Sequence, residues 1–352
     1  MKFQDILPRI VNNPGFRSLK EIKQAGYRIV KERPACRDGY GAGRDGDRYF
    51  LAKKEDLKPL LVRLGDVAEV RRGITTGANE FFYLETQSNN SVQKGFLYVK
   101  NSAGWEGLIE ENFLKPVIKS PREINSIKVK PNELKHKIFM CHKSKSELKG
   151  THALKYIIWG ESKGFNKRPT CRVRTRWWDL GKRESGTSVW IYIVRDRMFS
   201  PFNPQKFILD CNLFEIYNKV DSLLLAYALN TSVTIFFWEI SARSYGGGGG
   251  PLKSQIYEVK DFIVPNPNIL ILIKNPKYQE SFFERKVKNI FTELGINPNL
   301  PIREQTPNPL PDRKALDDIV FDILGLTEEE RNEVYWAVCE LVKNRLEKAR
   351  SV

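Results

Sequence analysis

Two spacings divide the apolar positions of this chain. Between residues 61 and 266 they come mostly in short runs bounded by glycine, proline and asparagine, as strands do. Val67-Ala68-Glu69-Val70 alternates, and Glu80-Phe81-Phe82-Tyr83-Leu84 is aromatic and apolar. Ser188 to Val194, Lys206 to Tyr217 and Lys253 to Lys260 read as further strands. From Asp221 to Ala242 the period changes. Leu224, Leu225, Ala228, Leu229 and Ser232 keep helical spacing, and Val233, Ile235, Phe236, Phe237 and Trp238 extend an apolar surface almost all round. That predicts one buried core helix. Residues 267–312 are rich in proline and asparagine around a helical patch, Gln279 to Leu294, and read as a linker. Residues 313–352 predict a helical hairpin. Its first helix buries Leu316, Ile319, Val320 and Ile323, and its second opens at the capping box Thr327 to Glu330. Residues 1–60 offer one capped helix (Ser18-Leu19-Lys20-Glu21, stopping at Gly26) and the strand Tyr27 to Val30, too little to close a core alone. The expected class is α+β: a strand-rich domain over 61–266 with one buried helix, then a small C-terminal α-helical segment.

Charge adds a surface to this fold. Lys163 to Arg183 carries Lys163, Lys167, Arg168, Arg172, Arg174, Arg176, Lys182 and Arg183 against the single acid Asp179. Arg172, Arg174 and Arg176 alternate with Val173 and Thr175, so a strand there sets three guanidinium groups on one face. Such a row repels itself unless an anion lies across it, and arginine's planar fork suits phosphate oxygens and guanine edges. Trp177 and Trp178 follow as core anchors, since bulky aromatics are mostly buried. The loop Arg71-Arg72-Gly73-Ile74-Thr75-Thr76-Gly77-Ala78-Asn79 combines cations, hydroxyls and glycines, so its backbone can approach phosphate closely. A plain hairpin turn explains the same loop equally well. Lysines dominate residues 115–155, which suits diffuse attraction to a polyanion, although a solvated face accounts for any single one. Arg243 precedes the run Gly246 to Gly250, expected to be a loop beside a ligand.

The whole chain carries a net charge of +16, which calls for a polyanionic partner, nucleic acid before an acidic membrane surface. Five scattered cysteines without CxxC spacing favour a reducing cytoplasm. No signal peptide opens the sequence, and no apolar run reaches membrane-spanning length. His136, His142 and His152 beside Cys141 fit no common zinc spacing, so no metal site is expected. Gly41 to Gly46 matches the dinucleotide glycine pattern in letters only, because neither an apolar strand before it nor a helix after it is present. Phosphate-loop, nucleophile-elbow and zinc-protease motifs are absent, so no catalytic residue is assigned.

Arg63-Leu64-Gly65-Asp66-Val67-Ala68-Glu69-Val70-Arg71-Arg72-Gly73-Ile74-Thr75-Thr76-Gly77-Ala78-Asn79-Glu80-Phe81-Phe82-Tyr83-Leu84 resembles the opening of the target-recognition domain of gamma-class adenine DNA methyltransferases, which occur alone and within type IIG restriction–modification enzymes. Arg168 to Gly181, Leu229-Asn230-Thr231-Ser232, the polyglycine loop, Tyr257 to Pro265 and the tail from Leu316 to Arg331 are similar to later parts of the same region. The likeness runs over about residues 50–350. The family's S-adenosylmethionine loop and Asn-Pro-Pro-Tyr motif have no counterpart, and residues 1–60 resemble the end of a catalytic domain and its connector.

The resemblance implies a sequence-specific recognition module for double-stranded DNA. It binds no cofactor itself; S-adenosylmethionine belongs to a partner catalytic domain, and catalysis is supplied by another chain or lost. On this expectation Arg71, Arg72, Lys167 and Arg168 hold phosphates, and Arg172, Arg174 and Arg176 lie near base edges. Thr75, Thr76, Asn79 and Arg243 add contacts, while Gly73, Gly77, Gly246, Gly247 and Gly248 allow close approach. The rival readings are a nuclease with a cryptic site and an RNA or single-strand binder using stacked aromatics.

Overall fold

The computed structural model describes residues 8, 14–15, 17–25, 27–31, 49–53, 59–87, 93–244, 250–274 and 281–348. The glycine-rich loop Arg37 to Gly46, the helix stop Gly26, and Gly246, Gly247 and Gly248 lie outside the described residues. The chain divides into two compact units, Met1–Pro59 and Leu60–Val352. In the first, helix α1 (Leu19–Gln24) is closed by the expected capping box: Glu21 N donates to Ser18 Oγ, and Ser18 Oγ to Glu21 Oε1 at 3.0 Å. Strands β1 (Tyr27–Lys31) and β2 (Tyr49–Lys53) pair antiparallel, Tyr27 opposite Lys53.

The second unit is α+β and holds two hydrophobic cores. One lies under a six-stranded sheet in the order β12-β8-β9-β5-β6-β7. Its strands are β5 (Tyr83–Thr86), β6 (Phe96–Asn101), β7 (Glu106–Glu110), β8 (Leu114–Ile118), β9 (His136–Phe139) and β12 (Ile208–Leu209). All pairings are antiparallel except β12 with β8. Helix α4 (His152–Ser162) covers it. Its free N-terminal amides are taken by Thr151 and by Glu110 of β7, which accepts from His152 N at 2.7 Å and Ala153 N at 3.0 Å. On its inner face Tyr156 lies parallel to Phe81, ring centroids 4.4 Å apart.

The other core is built on the three-stranded sheet β10-β13-β4: β4 (Ala68–Arg72), β10 (Ser188–Ile191) and β13 (Leu213–Asn218). Strand β13 is central, and all its first four side chains are buried. Strands β3 (Leu61–Arg63) and β16 (Ile263–Pro265) pair antiparallel, bringing Leu61 opposite Pro265. Strands β11 (Ile193–Val194), β14 (Arg243–Ser244) and β15 (Leu252–Lys253) form a small sheet. Phe282, Phe283 and Ile290, read from the sequence as part of a linker, enter this core, and Ile290 opens helix α9 (Ile290–Leu294). So do Leu316, Val320 and Phe321 of α10 (Pro311–Leu324) and Tyr335, Val338 and Val342 of α11 (Glu328–Lys348).

Four readings of local structure are corrected. The single buried helix is two, α6 (Ser222–Leu229) and α7 (Ser232–Ser241), bent by 62°. Buried Asn230 turns its amide onto Ser200 and Ala226 carbonyls, and Thr231 and Ser232 start a fresh N-terminus. Asp317 of α10 accepts from Ser232 N at 2.7 Å and Ser232 Oγ at 2.6 Å. Among the described residues no single helix is long and apolar enough to cross a membrane. The return segment is mostly helix α8 (Ile256–Asp261), set by a Gln255/Glu258 capping box. The apolar runs near residues 67 and 81 open as one-turn helices, α2 (Leu64–Val67) and α3 (Asn79–Phe82), before their strands. The arginine strand is absent. In its place stand α5 (Pro169–Arg172) and turns through Trp178. Proline at the first helical position favours helix, and Cys171, Trp177 and Trp178 are drawn into the core at spacings no single strand face could satisfy.

Candidate nucleic-acid interface

The loop from Gly73 to Ala78 leaves β4 and is pinned at once. Gly73 N donates to Leu213 O at 2.9 Å and Ile74 N to Leu209 O at 2.7 Å. A Cβ on Gly73 would collide with the Asp210 carbonyl. Asp210 is itself buried and accepts from Tyr83 Oη at 2.5 Å, and burial and that carboxylate together raise the tyrosine's pKa. Thr76 is a correction to the expected contact list. Its side chain is buried, bonded to Asn79 Oδ1 and accepting from Ala78 N, so it shapes the loop from inside. Thr75 and Asn79 remain exposed.

The basic segment docks on this loop. Arg168 Nη1 pairs with Glu80 Oε2 of α3 at 2.7 Å, across 88 residues of sequence, and holds that carboxyl below its usual range. Arg174 Nη2 donates to Thr75 O at 2.9 Å and Nη1 to Trp177 O at 3.2 Å. Cys171 Sγ lies 3.7 Å from Thr76 O, and Gly77 backs directly onto Thr170. Arg176 pairs with Asp179 at 2.6 Å. Burial alone would raise the Asp179 pKa, but hydrogen bonds from Arg176 and from His142 (2.7 Å) outweigh it and bring it down. Arg183 reaches the Arg72 carbonyl and the buried Glu215 of β13, the latter at 2.6 Å. Tyr217 donates to the same carboxylate at 2.6 Å, and burial followed by that bond pushes its pKa up to about 12.

The expected row of three arginines is therefore split. Arg174 and Arg176 are half-buried and tied down, while Arg172 is exposed with no bonded partner among the described residues. Val173 beside it is 77% exposed. Lys167 is likewise exposed and unpaired among the described residues. Arg71 is bound to Glu69 at 2.7 Å and lies over the Tyr217 ring. Arg72 is exposed, its Nε donating to Cys211 O at 2.9 Å. Arg243 stands apart on the small β11-β15-β14 sheet, paired with Glu258 at 2.6 Å. Its register partner Lys253 lies over Tyr192, whose pKa is lowered first by the hydrogen bond to Lys253, and also by the charge of Arg72. Arg72 thus lies within electrostatic reach of the small sheet.

A groove of about 530 Å³ borders this face, beside His142 and Arg183. Lys115, Lys143, Lys182 and Lys206 stand on its walls, with Phe113 and Phe207 among the apolar residues between them. Sequence reasoning missed Lys206 and Phe207 by placing them inside a strand. The turn residues Asn203-Pro204-Gln205 just before them were the available signal. Among the described residues no group of three or more histidines, cysteines or carboxylates is placed to hold a metal ion.

Residues 50–292 match the family model described as type II methyltransferase M.Eco57I, C-terminal domain. The chain is 28% identical over 218 residues to the type II methyltransferase M.AccI of Acinetobacter calcoaceticus, covering 57% of this chain and 36% of that protein. Among solved structures it is similar to the type IIG restriction endonuclease BpuSI, with a TM-score of 0.49 and 13% identity, over 86% of this chain and 36% of that one. The chain thus spans little more than a third of the length of either. The family match bears out the resemblance read from the opening motif, which falls wholly within the matched residues. This chain belongs to the family of the C-terminal domain of the type II methyltransferase M.Eco57I.

Proposed function

We propose that this chain recognises double-stranded DNA on behalf of a type II modification or restriction–modification system. The observation that carries the reading is the fastening of two cation-bearing segments into one face by Arg168–Glu80 and Arg174–Thr75 O, 88 and 99 residues apart in sequence. That fastening leaves Arg72, Thr75, Asn79, Lys167 and Arg172 exposed. Free cations supply sequence-independent attraction to phosphates, and braced guanidinium groups beside them can meet base edges in one register. Membership of a methyltransferase family supports a DNA partner. S-adenosylmethionine and the methyl transfer to adenine are assigned to a catalytic domain outside these residues, adenine being taken out of the duplex to reach it.

The test is duplex binding by anisotropy across a salt series. If six to ten phosphates are engaged, affinity falls about 10³- to 10⁵-fold between 50 and 200 mM salt. A flat salt response removes the electrostatic basis. Competition by single strands as strong as by duplex would favour the single-strand reading.

A further inference from the structure

The groove between the ends of β8 and β9 and the turn 203–207 has a chemistry of its own. Lys115 and Lys182 are exposed and unpaired among the described residues, and Lys143 faces them with its ammonium 5.9 Å from the Phe113 ring centroid. Ammonium groups gathered round one concavity repel each other until an anion lies among them. The opposite wall is rigid. Buried Asn203 accepts from Phe207 N at 3.0 Å and donates to the carbonyls of Phe207 and Gly186. This turn holds Lys206 at φ 53°, the only positive φ outside glycine among the described residues. Glu184 at the rim pairs with Lys206 at 3.3 Å and is itself largely exposed. Phe207 is half-buried and offers the groove an aromatic surface between the cations.

We propose that this groove takes a single unstacked nucleotide, its phosphate among Lys115, Lys143 and Lys182 and its base against Phe207. A volume of about 530 Å³ suits one such unit and is too small for a duplex. The anionic phosphate answers the lysines, and the flat base answers the aromatic wall. The nucleotide comes either from a DNA strand with a base out of the stack or from solution. The first source rests on the duplex reading above, and the second does not.

Anisotropy with the full chain separates the cases. The probes are a short labelled duplex, the same duplex with one unpaired adenosine, and adenosine 5′-monophosphate as competitor. Stacking on one aromatic predicts that the bulged duplex binds about tenfold more tightly than the paired one. Phe207→Ala erases that preference. So does Lys115→Gln/Lys182→Gln, which touches only exposed side chains and serves should Phe207→Ala fold poorly. Displacement by adenosine 5′-monophosphate supports the site and extends it to free nucleotides. Equal binding of both duplexes without such displacement overturns the proposal while leaving duplex recognition standing. A preference that survives both variants also overturns it, because the base then sits elsewhere. Failure of both duplexes to bind, with no binding of the monophosphate, overturns both readings.

Discussion

Gly77→Ala tests whether the two halves of the face are in contact. Gly77 has φ +77°, where an alanine costs about 1–2 kcal/mol. An ideal Cβ there would lie 2.5 Å from Thr170 Cβ and 2.9 Å from its Cγ2. Contact that close forces a shift, and overpacking adds about 1–3 kcal/mol. The single variant should lose about 2–5 kcal/mol. Thr170→Gly removes the obstructing atoms at a helix-propensity cost of about 0.3 kcal/mol. In the double variant the backbone cost remains and the collision disappears. Urea unfolding of the four proteins should therefore give a sum of single effects exceeding the double by about 1–3 kcal/mol. Gly77→Ala should also weaken duplex binding by parting Thr75 from Arg174, and Thr170→Gly should restore much of it. Additivity within about 0.5 kcal/mol would mean that loop and basic segment do not meet as described.

Arg172→Ala should leave stability within about 0.5 kcal/mol and lower the magnitude of the duplex salt slope by about 1, whereas Arg174→Ala should cost about 1–3 kcal/mol by orphaning the Thr75 and Trp177 carbonyls. Matched unfolding and binding curves decide it, and equal behaviour of the two variants would refute the split. Glu239 of α7 and Arg345 of α11 pair at 2.6 Å with side chains 2% and 6% exposed. Glu239→Ala should cost about 3–5 kcal/mol, and adding Arg345→Met should recover most of that in denaturant midpoint, since the unpaired buried charge is then gone. Buried Glu293 would be raised by desolvation, yet Arg285 at 2.6 Å and the neighbouring Arg313 bring its pKa below the usual carboxylate range. A depressed folded pKa gives stability that is complete above the unfolded value of about 4.3 and is lost as pH falls through the folded one. Glu293→Gln should flatten the acid limb of stability below about pH 4.3, read from urea midpoints, and an unchanged slope would sink the assignment.

Much of the scaffold could be read from the apolar pattern, because strands β10 and β13 are short runs buried on both faces and helix α11 buries one face over several turns. The capping boxes at Ser18 and Thr327 were equally plain, being set by chemistry within four residues. What escaped depends on distant partners. The break at Asn230 is fixed by Ser200 and Asp317, and nothing local marks either as its neighbour. Arg313 is fully buried because Glu293 and the Asn230 carbonyl receive it, although an isolated arginine in a helix reads as solvated. The basic segment misled for a related reason. Alternation of arginine with smaller residues is a strand signal only when one face has somewhere to go, and here Cys171, Trp177 and Trp178 override the period. The cations themselves were found by composition alone. Which of them are braces and which are available required the carboxylates and carbonyls that meet them.

Those acceptors explain how so basic a face keeps its shape. Glu80, Asp179 and Glu215 each hold one arginine at 2.6–2.7 Å, and Asp179 and Glu215 are largely or wholly withdrawn from solvent. A guanidinium already fixed loses little freedom when a ligand arrives, saving about 0.5–1.5 kcal/mol per side chain that would otherwise be immobilised. Its charge is partly answered, so it adds less to long-range attraction. Lys167, Arg172 and Lys182 have the opposite properties: more freedom to lose and an unanswered charge. On the proposed reading, the unpaired group draws the phosphate backbone in and carries the salt dependence. The braced group carries discrimination, because only a side chain with one available geometry can reject a misplaced base edge. Loosening a brace should then cost specificity before affinity. Glu80→Gln, which frees Arg168 without removing its charge, should narrow the gap between preferred and random duplex while leaving binding to random duplex equal or tighter. A uniform loss on both duplexes would show that the braces serve the fold and nothing more.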